Sequence, residues 1–268
     1  MNMPPGACDC HLHVFEQSRA LALTATFKPP HAPVADYIAV QRRIGFERAI
    51  VVQPTGYAFD NGCTLDAIAA LGSGARGVAV VPPDVTDAEL QRLHEAGIRG
   101  VRFMMLPGGV LPWSALEPIA ERIAVFGWHI DLQIDGREFD QHAQRLLKLP
   151  CRLVIDHIGK FLGPVTTIDA AFKALCSVLD GGRTWVKLSA PYESSRIGPP
   201  DYADLVPLVH DLSSRFPQAC LWASNWPHPN IEPRPDDVKL RNWAQAAVGD
   251  SATWRRMLVD NPATLYGF

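Results

Sequence analysis

Two histidines near the N-terminus have the residue type and the spacing of a chemical site. His11 and His13 lie in the apolar run 8–14, which is typical of a buried β-strand. Side chains two residues apart in a strand point to the same face, so we expect the two imidazoles to lie side by side. Such a pair can bind a metal ion or form a polar catalytic floor. Two solvated histidines on a half-exposed strand are the alternative without chemistry.

A second polar cluster lies in the segment 222–230, which reads Trp-Ala-Ser-Asn-Trp-Pro-His-Pro-Asn and contains Asn225 and His228. In a closed barrel the first and last strands are neighbours, so this segment would meet His11 and His13. The two clusters form one site only if the strands close in that way.

Short β-type runs alternate with helical patterns along the chain. The strands are near-continuous apolar runs with short connections, as in a buried parallel sheet. The predicted strands span residues 8–14, 48–53, 77–81, 100–104, 128–134, 152–156, 184–189 and 219–223. The predicted helices span residues 34–44, 64–71, 86–97, 114–126, 139–149, 168–179, 202–216 and 238–248, and the last begins a helical C-terminal region.

Eight β/α units within 268 residues predict an α/β fold, a (β/α)8 TIM barrel that forms a single domain over residues 1–268. No GxGxxG motif follows the first predicted strand, which disfavours a doubly wound dinucleotide-binding sheet. A capping box is predicted at Thr86 and Glu89, at the start of the third helix.

Composition and charge exclude several classes of function. The net charge of −3 gives no basic field for nucleic acid, and no apolar run reaches the roughly 20 residues of a membrane span. The first residues lack the pattern of a signal peptide. Six scattered cysteines without zinc-ribbon spacing predict a reduced, cytoplasmic protein without disulfides. The sequence leaves the oligomeric state unknown.

Active sites of such barrels lie at the carboxyl ends of the strands. Polar side chains lie at or just after seven of the eight predicted strand ends, more than chance placement supplies. These side chains are His11, His13, Gln53, Tyr57, Arg102, Gln133, Asp135, His157, Lys160, Ser189, Tyr192, Ser195, Arg196, Asn225 and His228.

Three motifs in combination resemble the amidohydrolase superfamily: the HxH pair, Asp-His-Ile-Gly at 156–159, and Ser-Asn-Trp-Pro-His at 224–228. The chain is most similar to the lactone-processing branch, from the first strand to Asn261. This resemblance implies acyl chemistry on a small carboxylated lactone of the sugar-acid type. It favours galactarolactone-type isomerisation without a metal, and the alternative is hydrolysis of a lactone like 2-pyrone-4,6-dicarboxylate.

Two positions depart from the metal-dependent members of the superfamily. Those relatives carry a further metal-binding His after strand five and an Asp after strand eight, where this chain has Gln133 and Asn225. Neutral amides remove an imidazole and the anionic ligand of a divalent cation. The resemblance therefore implies no metal and no cofactor. A metal-dependent amidohydrolase that uses His11, His13 and His157 stays an alternative.

The resemblance and the residue types also suggest roles. We expect His11 and His13, supported by Asn225, to donate hydrogen bonds to the lactone carbonyl, and His157 to transfer the proton. Arg102 and Lys160 are expected to hold the substrate carboxylate. The other predicted substrate-binding residues are Gln53, Tyr57, Gln133, Tyr192, Ser195 and Arg196.

Asn225 bears on the type of reaction. An amide cannot act as the base that an Asp at this position would provide for water. In an isomerisation the substrate's own hydroxyl attacks, and holding it in place lowers the need for a strong base. His11 favours hydrolysis. The resemblance implies Gln at this position in isomerases of the branch, whereas an HxH pair is more similar to the lactonases. From sequence alone, Asn225 could also be an engineered replacement of Asp, and a non-catalytic barrel that binds sugar acids is a further alternative.

Overall fold

A computed structural model describes residues 3–268 of the chain. Its strands form one parallel sheet in which each strand pairs with the next in sequence. The strands are β1 (Cys8–Leu12), β2 (Arg48–Val52), β3 (Ala75–Ala79), β4 (Ile98–Met104), β5 (His129–Gln133), β6 (Arg152–Ile155), β7 (Thr184–Lys187) and β8 (Cys220–Leu221). The helices are α1 (Val34–Ile44), α2 (Gly62–Leu71), α3 (Asp87–Glu95), α4 (Leu116–Ala124), α5 (Phe139–Leu146), α6 (Ala170–Asp180), α7 (Val206–Arg215), α8 (Asp237–Val248), α9 (Ser251–Leu258) and α10 (Asp260–Tyr266).

The sheet closes between its first and last strands. Leu12 forms a parallel bridge with Trp226, and the His13 N–H donates to the Trp226 carbonyl at 2.8 Å. The Asn225 N–H donates to the His11 carbonyl at 2.9 Å. The predicted (β/α)8 barrel is therefore confirmed, and the two polar clusters meet.

A buried carboxylate ties this closure together. Asp9 accepts hydrogen bonds from the Ser224 N–H at 2.8 Å and from the Ser224 hydroxyl at 2.6 Å. It also accepts from the Tyr37 hydroxyl of α1 at 3.1 Å. Burial raises the pKa of Asp9 to about 6, although these hydrogen bonds favour its charged form. Asp9 thus joins β1, the segment after β8 and the outer helix layer.

A register shift in β1 decides which of its side chains face the barrel interior. The pairing with β2 is irregular between Asp9 and Leu12, as in a β-bulge. Cys10 packs with the interior residues of the barrel, whereas Leu12 packs with the helix-facing core. His11 and His13 then both face the interior, as their spacing predicts. The interior core consists of Cys8, Cys10, Ile50, Val52, Val78, Val154, Leu221, Ala223, Leu265 and Tyr266.

Many element boundaries differ from the predictions by one to four residues, among them those of β3, β8 and α7. β3 ends at Ala79 because the Val80 N–H donates to the Asn61 side chain at 2.9 Å instead of continuing the sheet. β8 is only two residues long. Helix α7 begins at Val206 rather than at Tyr202, whose φ of 41° is not helical. The predicted cap is confirmed, since the Glu89 N–H donates to the Thr86 hydroxyl at 3.2 Å.

Two further observations concern the chain as a whole. All six cysteines are buried, and each carries a free thiol. Within residues 3–268, none of the helices combines the length and the apolar character needed to cross a membrane.

Candidate active site

An open cavity of about 150 Å³ lies at the carboxyl ends of the strands. Six of the residues predicted from the sequence line it: His13, Arg102, Gln133, His157, Lys160 and Asn225. The other lining residues are Phe15, Phe27, Pro54, Thr55, Met104, Glu193, Pro229 and Asn230.

The two histidines of β1 contact each other at the floor of this cavity. Their Nε2 atoms are 3.1 Å apart, and His13 Nδ1 is 2.8 Å from the Val52 carbonyl oxygen. Burial lowers the pKa of His13 to about 3 and that of His11 well below its ordinary value. Both imidazoles are therefore neutral at pH 7. His11 lies beneath His13 and does not line the cavity.

A buried ammonium group lies beneath His11. Lys187, at the end of β7, is 0% exposed, and its Nζ is 2.9 Å from His11 Nδ1. The same nitrogen is 2.6 Å from an Asp131 oxygen and 3.0 Å from an Asp156 oxygen. Burial opposes the charge on Lys187, but the two carboxylates outweigh it and raise the pKa of the lysine. Burial and the neighbouring Asp156 raise the pKa of Asp131 to about 7, whereas the charge of Lys187 outweighs burial and keeps the pKa of Asp156 well below its ordinary value. The interior thus holds one ammonium group between two carboxyl groups.

His157 lines the cavity and has one ring nitrogen available for a ligand. Its Nδ1 is 3.0 Å from the Ser189 hydroxyl at the end of β7, which leaves Nε2 for a ligand. Burial lowers the pKa of His157 well below its ordinary value, while the Asp156 carboxylate favours the imidazolium form. The loop holds this residue in the left-handed region, at a φ of 51°. A neutral imidazole that can accept a proton therefore faces the cavity.

Arg102 and Gln133 form one wall of the cavity. Arg102 donates to the Gln53 carbonyl at 3.0 Å and to the Gln133 side-chain oxygen at 2.9 Å. Its Nε is buried without a hydrogen-bond partner. Because the Gln133 oxygen is taken by the guanidinium, the amide nitrogen of Gln133 remains to donate to a ligand.

Lys160 and Glu193 form an ion pair on another wall. Burial lowers the pKa of Lys160 to about 8; the Asp156 carboxylate opposes this change and Arg102 adds to it. Asn225 lies beside the pair and donates to a Glu193 oxygen at 3.2 Å. The wall therefore holds a cation whose charge depends on pH near neutrality.

A relay of hydrogen bonds sets the orientation of the Asn225 amide. Asp237 is 2.9 Å from His228 Nε2, and His228 Nδ1 is 2.8 Å from the Tyr192 hydroxyl. The carboxylate accepts from Nε2–H, so Nδ1 accepts from the Tyr192 hydroxyl, whose oxygen accepts from Asn225 Nδ2 at 3.0 Å. Both hydrogens of the Asn225 amide are thus taken, by Tyr192 and Glu193. Its oxygen is left to accept a hydrogen bond.

Six predicted residues do not line the cavity: His11 and Tyr192, which contact lining residues, and Gln53, Tyr57, Ser195 and Arg196. Gln53 lies two residues after Val51, whose side chain packs in the helix-facing core, and its own side chain points the same way, out of the barrel. Its side-chain oxygen accepts a hydrogen bond from the Thr64 hydroxyl at 2.6 Å. Tyr57 bonds to the backbone of Glu16. The other two hold the β7–α7 loop, where Ser195 donates to Asp204 and Arg196 donates to the Leu162 carbonyl.

The sequence analysis missed four charged residues of the site. Asp131, Asp156 and Lys187 form the buried cluster, and Glu193 lines the cavity. The available signal was a charged side chain within an apolar strand, since such residues are almost never fully buried unless paired. For Glu193 the sequence carried only its place beside Tyr192.

A divalent metal ion needs several ligand atoms close together, each with a free lone pair. In residues 3–268 one group of possible ligand atoms comes within 4.8 Å of one another, from His11, Asp156 and His157. The ammonium of Lys187 already contacts the first two. At the end of β5 and just after β8 the cavity offers the neutral amides of Gln133 and Asn225, and the Glu193 carboxylate is already paired with Lys160. The residues therefore do not fit a divalent cation, which would face a fixed positive charge.

Comparisons with known proteins agree with the resemblance seen in the sequence. The sequence model of the amidohydrolase family matches residues 8–268. A D-galactarolactone isomerase from Agrobacterium fabrum is 32% identical over 268 residues, which cover 98% of this chain and 91% of that protein. A 2-pyrone-4,6-dicarboxylate hydrolase from Comamonas testosteroni is 35% identical over 280 residues, with coverages of 98% and 91%. An apo crystal structure from Agrobacterium tumefaciens has a TM-score of 0.95 at 32% identity and covers 100% of this chain and 97% of that one.

Proposed function

Because the chain belongs to the amidohydrolase family, we propose that it is an enzyme that acts on a small carboxylated lactone by acyl chemistry. One observation carries this proposal: the neutral imidazole of His157 faces a cavity whose walls hold the cations Arg102 and Lys160. The relatives support the substrate class, since one is a lactone isomerase and another a pyrone dicarboxylate hydrolase.

The cations are suited to a substrate carboxylate. Arg102 keeps a buried Nε without a partner, and a carboxylate oxygen would complete its hydrogen bonding. Lys160 is paired with Glu193 alone and can share its ammonium with a second acceptor. Both groups are shielded from water, which strengthens their attraction for an anion.

In the proposed reaction a hydroxyl of the substrate attacks the lactone carbonyl carbon. A new C–O bond forms, the old ring C–O bond breaks, and the released oxygen takes the proton that the hydroxyl loses. His157 accepts this proton on Nε2 and returns it to the leaving oxygen, while its Nδ1–H donates to Ser189. The product is a lactone of another ring size, and the reaction consumes no water.

Negative charge develops on the carbonyl oxygen during this step. The histidines of β1 were expected to donate to this oxygen, but His11 Nε2 and His13 Nε2 contact each other at 3.1 Å, and we propose a different donor. In our proposal the amide N–H of Gln133, whose oxygen is held by Arg102, donates to the oxyanion instead.

Asn225 supports isomerisation over hydrolysis. Its amide hydrogens are held by Tyr192 and Glu193, so its oxygen can accept from the attacking hydroxyl of the substrate. This contact orients a hydroxyl that is already tethered to the reacting carbonyl. It gives no base for a free water molecule, and we propose no metal-bound water because Lys187 occupies the ligand cluster.

Hydrolysis is the second candidate, and the 35% identity to a pyrone dicarboxylate hydrolase favours it. Proton NMR of chelator-treated enzyme separates the candidates, with the six-membered galactarate lactone run beside 2-pyrone-4,6-dicarboxylate. The isomerase proposal predicts the five-membered lactone. Direct appearance of the ring-opened diacid would replace it with hydrolysis, and activity that needs added zinc or manganese would contradict both metal-free schemes.

Replacing Asn225 with Asp tests the role of the amide. A carboxylate at this position can take a proton from water, so we expect more ring-opened product relative to isomer. The ratio of the two products is measured by NMR. Asn230→Asp is the matched control, because it adds the same charge to the same cavity outside the relay. An unchanged product ratio in Asn225→Asp would contradict the assigned role.

A further inference from the structure

A chain of hydrogen bonds runs from the buried ammonium of Lys187 to the backbone of β2. Lys187 Nζ is 2.9 Å from His11 Nδ1, and His11 Nε2 is 3.1 Å from His13 Nε2. His13 Nδ1 is 2.8 Å from the Val52 carbonyl oxygen. We propose that Lys187 is a positioning residue that holds the two histidines in the tautomers that bind each other instead of a divalent metal ion.

The two ends of the chain determine where its protons lie. A carbonyl oxygen can only accept, so His13 Nδ1 carries a proton; an ammonium can only donate, so His11 Nδ1 carries a lone pair. In neutral imidazoles the second nitrogen then has the opposite state, which places a proton on His11 Nε2 and a lone pair on His13 Nε2. One proton therefore lies between the two Nε2 atoms, as their hydrogen bond requires.

This proton arrangement is incompatible with metal binding by the pair. A metal ion needs a lone pair on each ligating nitrogen, and His11 Nε2 carries a proton while His13 Nε2 accepts it. Freeing His11 Nε2 requires a proton on Nδ1, which would point at an ammonium 2.9 Å away. The positive charge of Lys187 thus acts through His11 on a site that it does not itself line.

Removal of the lysine leaves a partner for the other tautomer. An Asp156 oxygen lies 3.2 Å from His11 Nδ1 and can accept a proton from it. A carboxylate that accepts from the far nitrogen of a histidine is the usual outer partner of a metal ligand. We therefore expect a latent zinc site at His11 and His13 that opens when Lys187 is lost.

The first test reads the tautomers of the full-length protein directly. Histidine labelled with ¹⁵N distinguishes protonated from unprotonated ring nitrogens, and the signals are assigned by their loss in His11→Gln and His13→Gln. We expect a protonated Nε2 and an unprotonated Nδ1 at His11, and the reverse at His13. A protonated Nδ1 at His11 would overturn the proposal without any need for a variant at Lys187.

The second test removes the lysine together with its Asp131 partner, in Lys187→Met with Asp131→Asn, so that neither group is left buried without the other. In this folded variant, once zinc is bound, we expect His11 to carry its proton on Nδ1, because the ion then takes the place of the proton between the two Nε2 atoms. Zinc affinity, measured by titration with zinc chloride, should rise by roughly 10- to 100-fold, the range found for outer partners of metal-bound histidines. A folded variant with the original tautomer, or with the zinc affinity of the wild type, would refute the role of Lys187.

Lys160→Met with Glu193→Gln is the matched control, because it also removes a lysine and its carboxylate partner, but this lysine bonds to neither histidine of β1. We expect its tautomers and its zinc affinity to equal those of the wild type. An equal gain of zinc affinity in this control would attribute the effect to lost charge and overturn the proposal. Turnover of the lactone plays no part in these readouts, so the proposal can fail while the proposed function stands.

Discussion

The two ends of the barrel reach the left-handed backbone region with different residues. At the amino end, the turns from helix to strand use glycine: Gly45, Gly72, Gly97, Gly127 and Gly182. At the carboxyl end, the described loops from strand to helix also use residues with side chains: Ala58, His157, Ile158, Lys160, Ala190, Tyr202, Asn225, His228 and Asn230. This conformation costs a residue with a Cβ about 1–2 kcal/mol, and glycine almost nothing. The carboxyl end tolerates the cost where the loops hold cavity residues.

Two buried histidines show the same contrast. His129 at the amino end packs against Tyr266, and neither of its nitrogens has a hydrogen-bond partner. Burial lowers its pKa to about 3. His157 at the carboxyl end is equally buried and neutral but has a partner in Ser189 and an edge on the cavity. Burial keeps both imidazoles neutral, and only the second is placed where a neutral imidazole can accept a proton.

The largest expected effect separates these two histidines. We expect His157→Asn to lower kcat by roughly 10²- to 10⁴-fold, the usual contribution of a general acid–base group. His129→Leu should change the free energy of unfolding and leave kcat within about twofold, because it is remote from the cavity. Steady-state kinetics and urea unfolding of both variants check this. Similar losses of kcat in both would break the comparison between the two ends.

Arginines at the two ends give the next largest contrast. Arg102→Met should lower kcat/KM by roughly 10- to 100-fold, because a hydrogen bond to a charged group contributes about 1.5–3 kcal/mol. The control is Arg152→Met, whose guanidinium donates to the Thr264 carbonyl at the opposite end. Its kcat/KM should equal that of the wild type. With a lactone that lacks a carboxylate, the two variants should have similar kcat/KM values. If Arg102→Met still lowers kcat/KM with that substrate, Arg102 does not bind the carboxylate.

The pH dependence of substrate binding reports on Lys160. Burial lowers its pKa to about 8, so the ammonium is charged below this pH and is lost above it. We expect KM for the carboxylated lactone to rise by up to about tenfold per pH unit above pH 8, since a group titrates by a factor of ten per unit. Lys160→Arg should remove this rise because arginine stays charged. A KM that is independent of pH up to 10 in the wild type would exclude Lys160 from carboxylate binding.

The smallest expected effect concerns a glycine turn at the amino end of the barrel. Gly182 has a φ of 76°, and an added Cβ would meet nothing within 4 Å. Gly182→Ala should therefore lower the free energy of unfolding by about 1–2 kcal/mol through the backbone alone. Its kcat should be unchanged. Urea unfolding and steady-state kinetics measure the two quantities, and a loss of kcat would show that the amino end is coupled to chemistry.

Much of the fold could be predicted from local patterns. The alternation of apolar runs with helical segments predicted the eight strands in their order, and the spacing of His11 and His13 placed both inside the barrel. The alternation of side chains along β2 was also present in the sequence. Gln53 lies two residues after Val51 and points to the same outer face, so its side chain could have been assigned away from the cavity. Boundaries were less predictable, since β3 ends where the Asn61 side chain takes over its backbone hydrogen bonds.

The candidate site was predictable in its composition but not in its hydrogen bonding. Sequence motifs identified His157 and Asn225, and the position at a strand end identified Arg102; all three line the cavity. They could not show that the hydrogens of Asn225 are already held, because the holding residues come from other loops. They also passed over Lys187, whose charge in an apolar strand makes sense only beside Asp131 and Asp156.

The sequence by itself determined the kind of barrel, the family and the residue types at the carboxyl ends of the strands, because these follow from periodicity and from short motifs. Only the tertiary structure decided the proton positions and amide orientations that give those residues their tasks. Lys187 and His11 are separated by 176 positions, and each hydrogen in their chain is placed by a donor or an acceptor on a different strand. Barrel closure brings those strands together, so the chemistry of each side chain depends on contacts that no local pattern encodes.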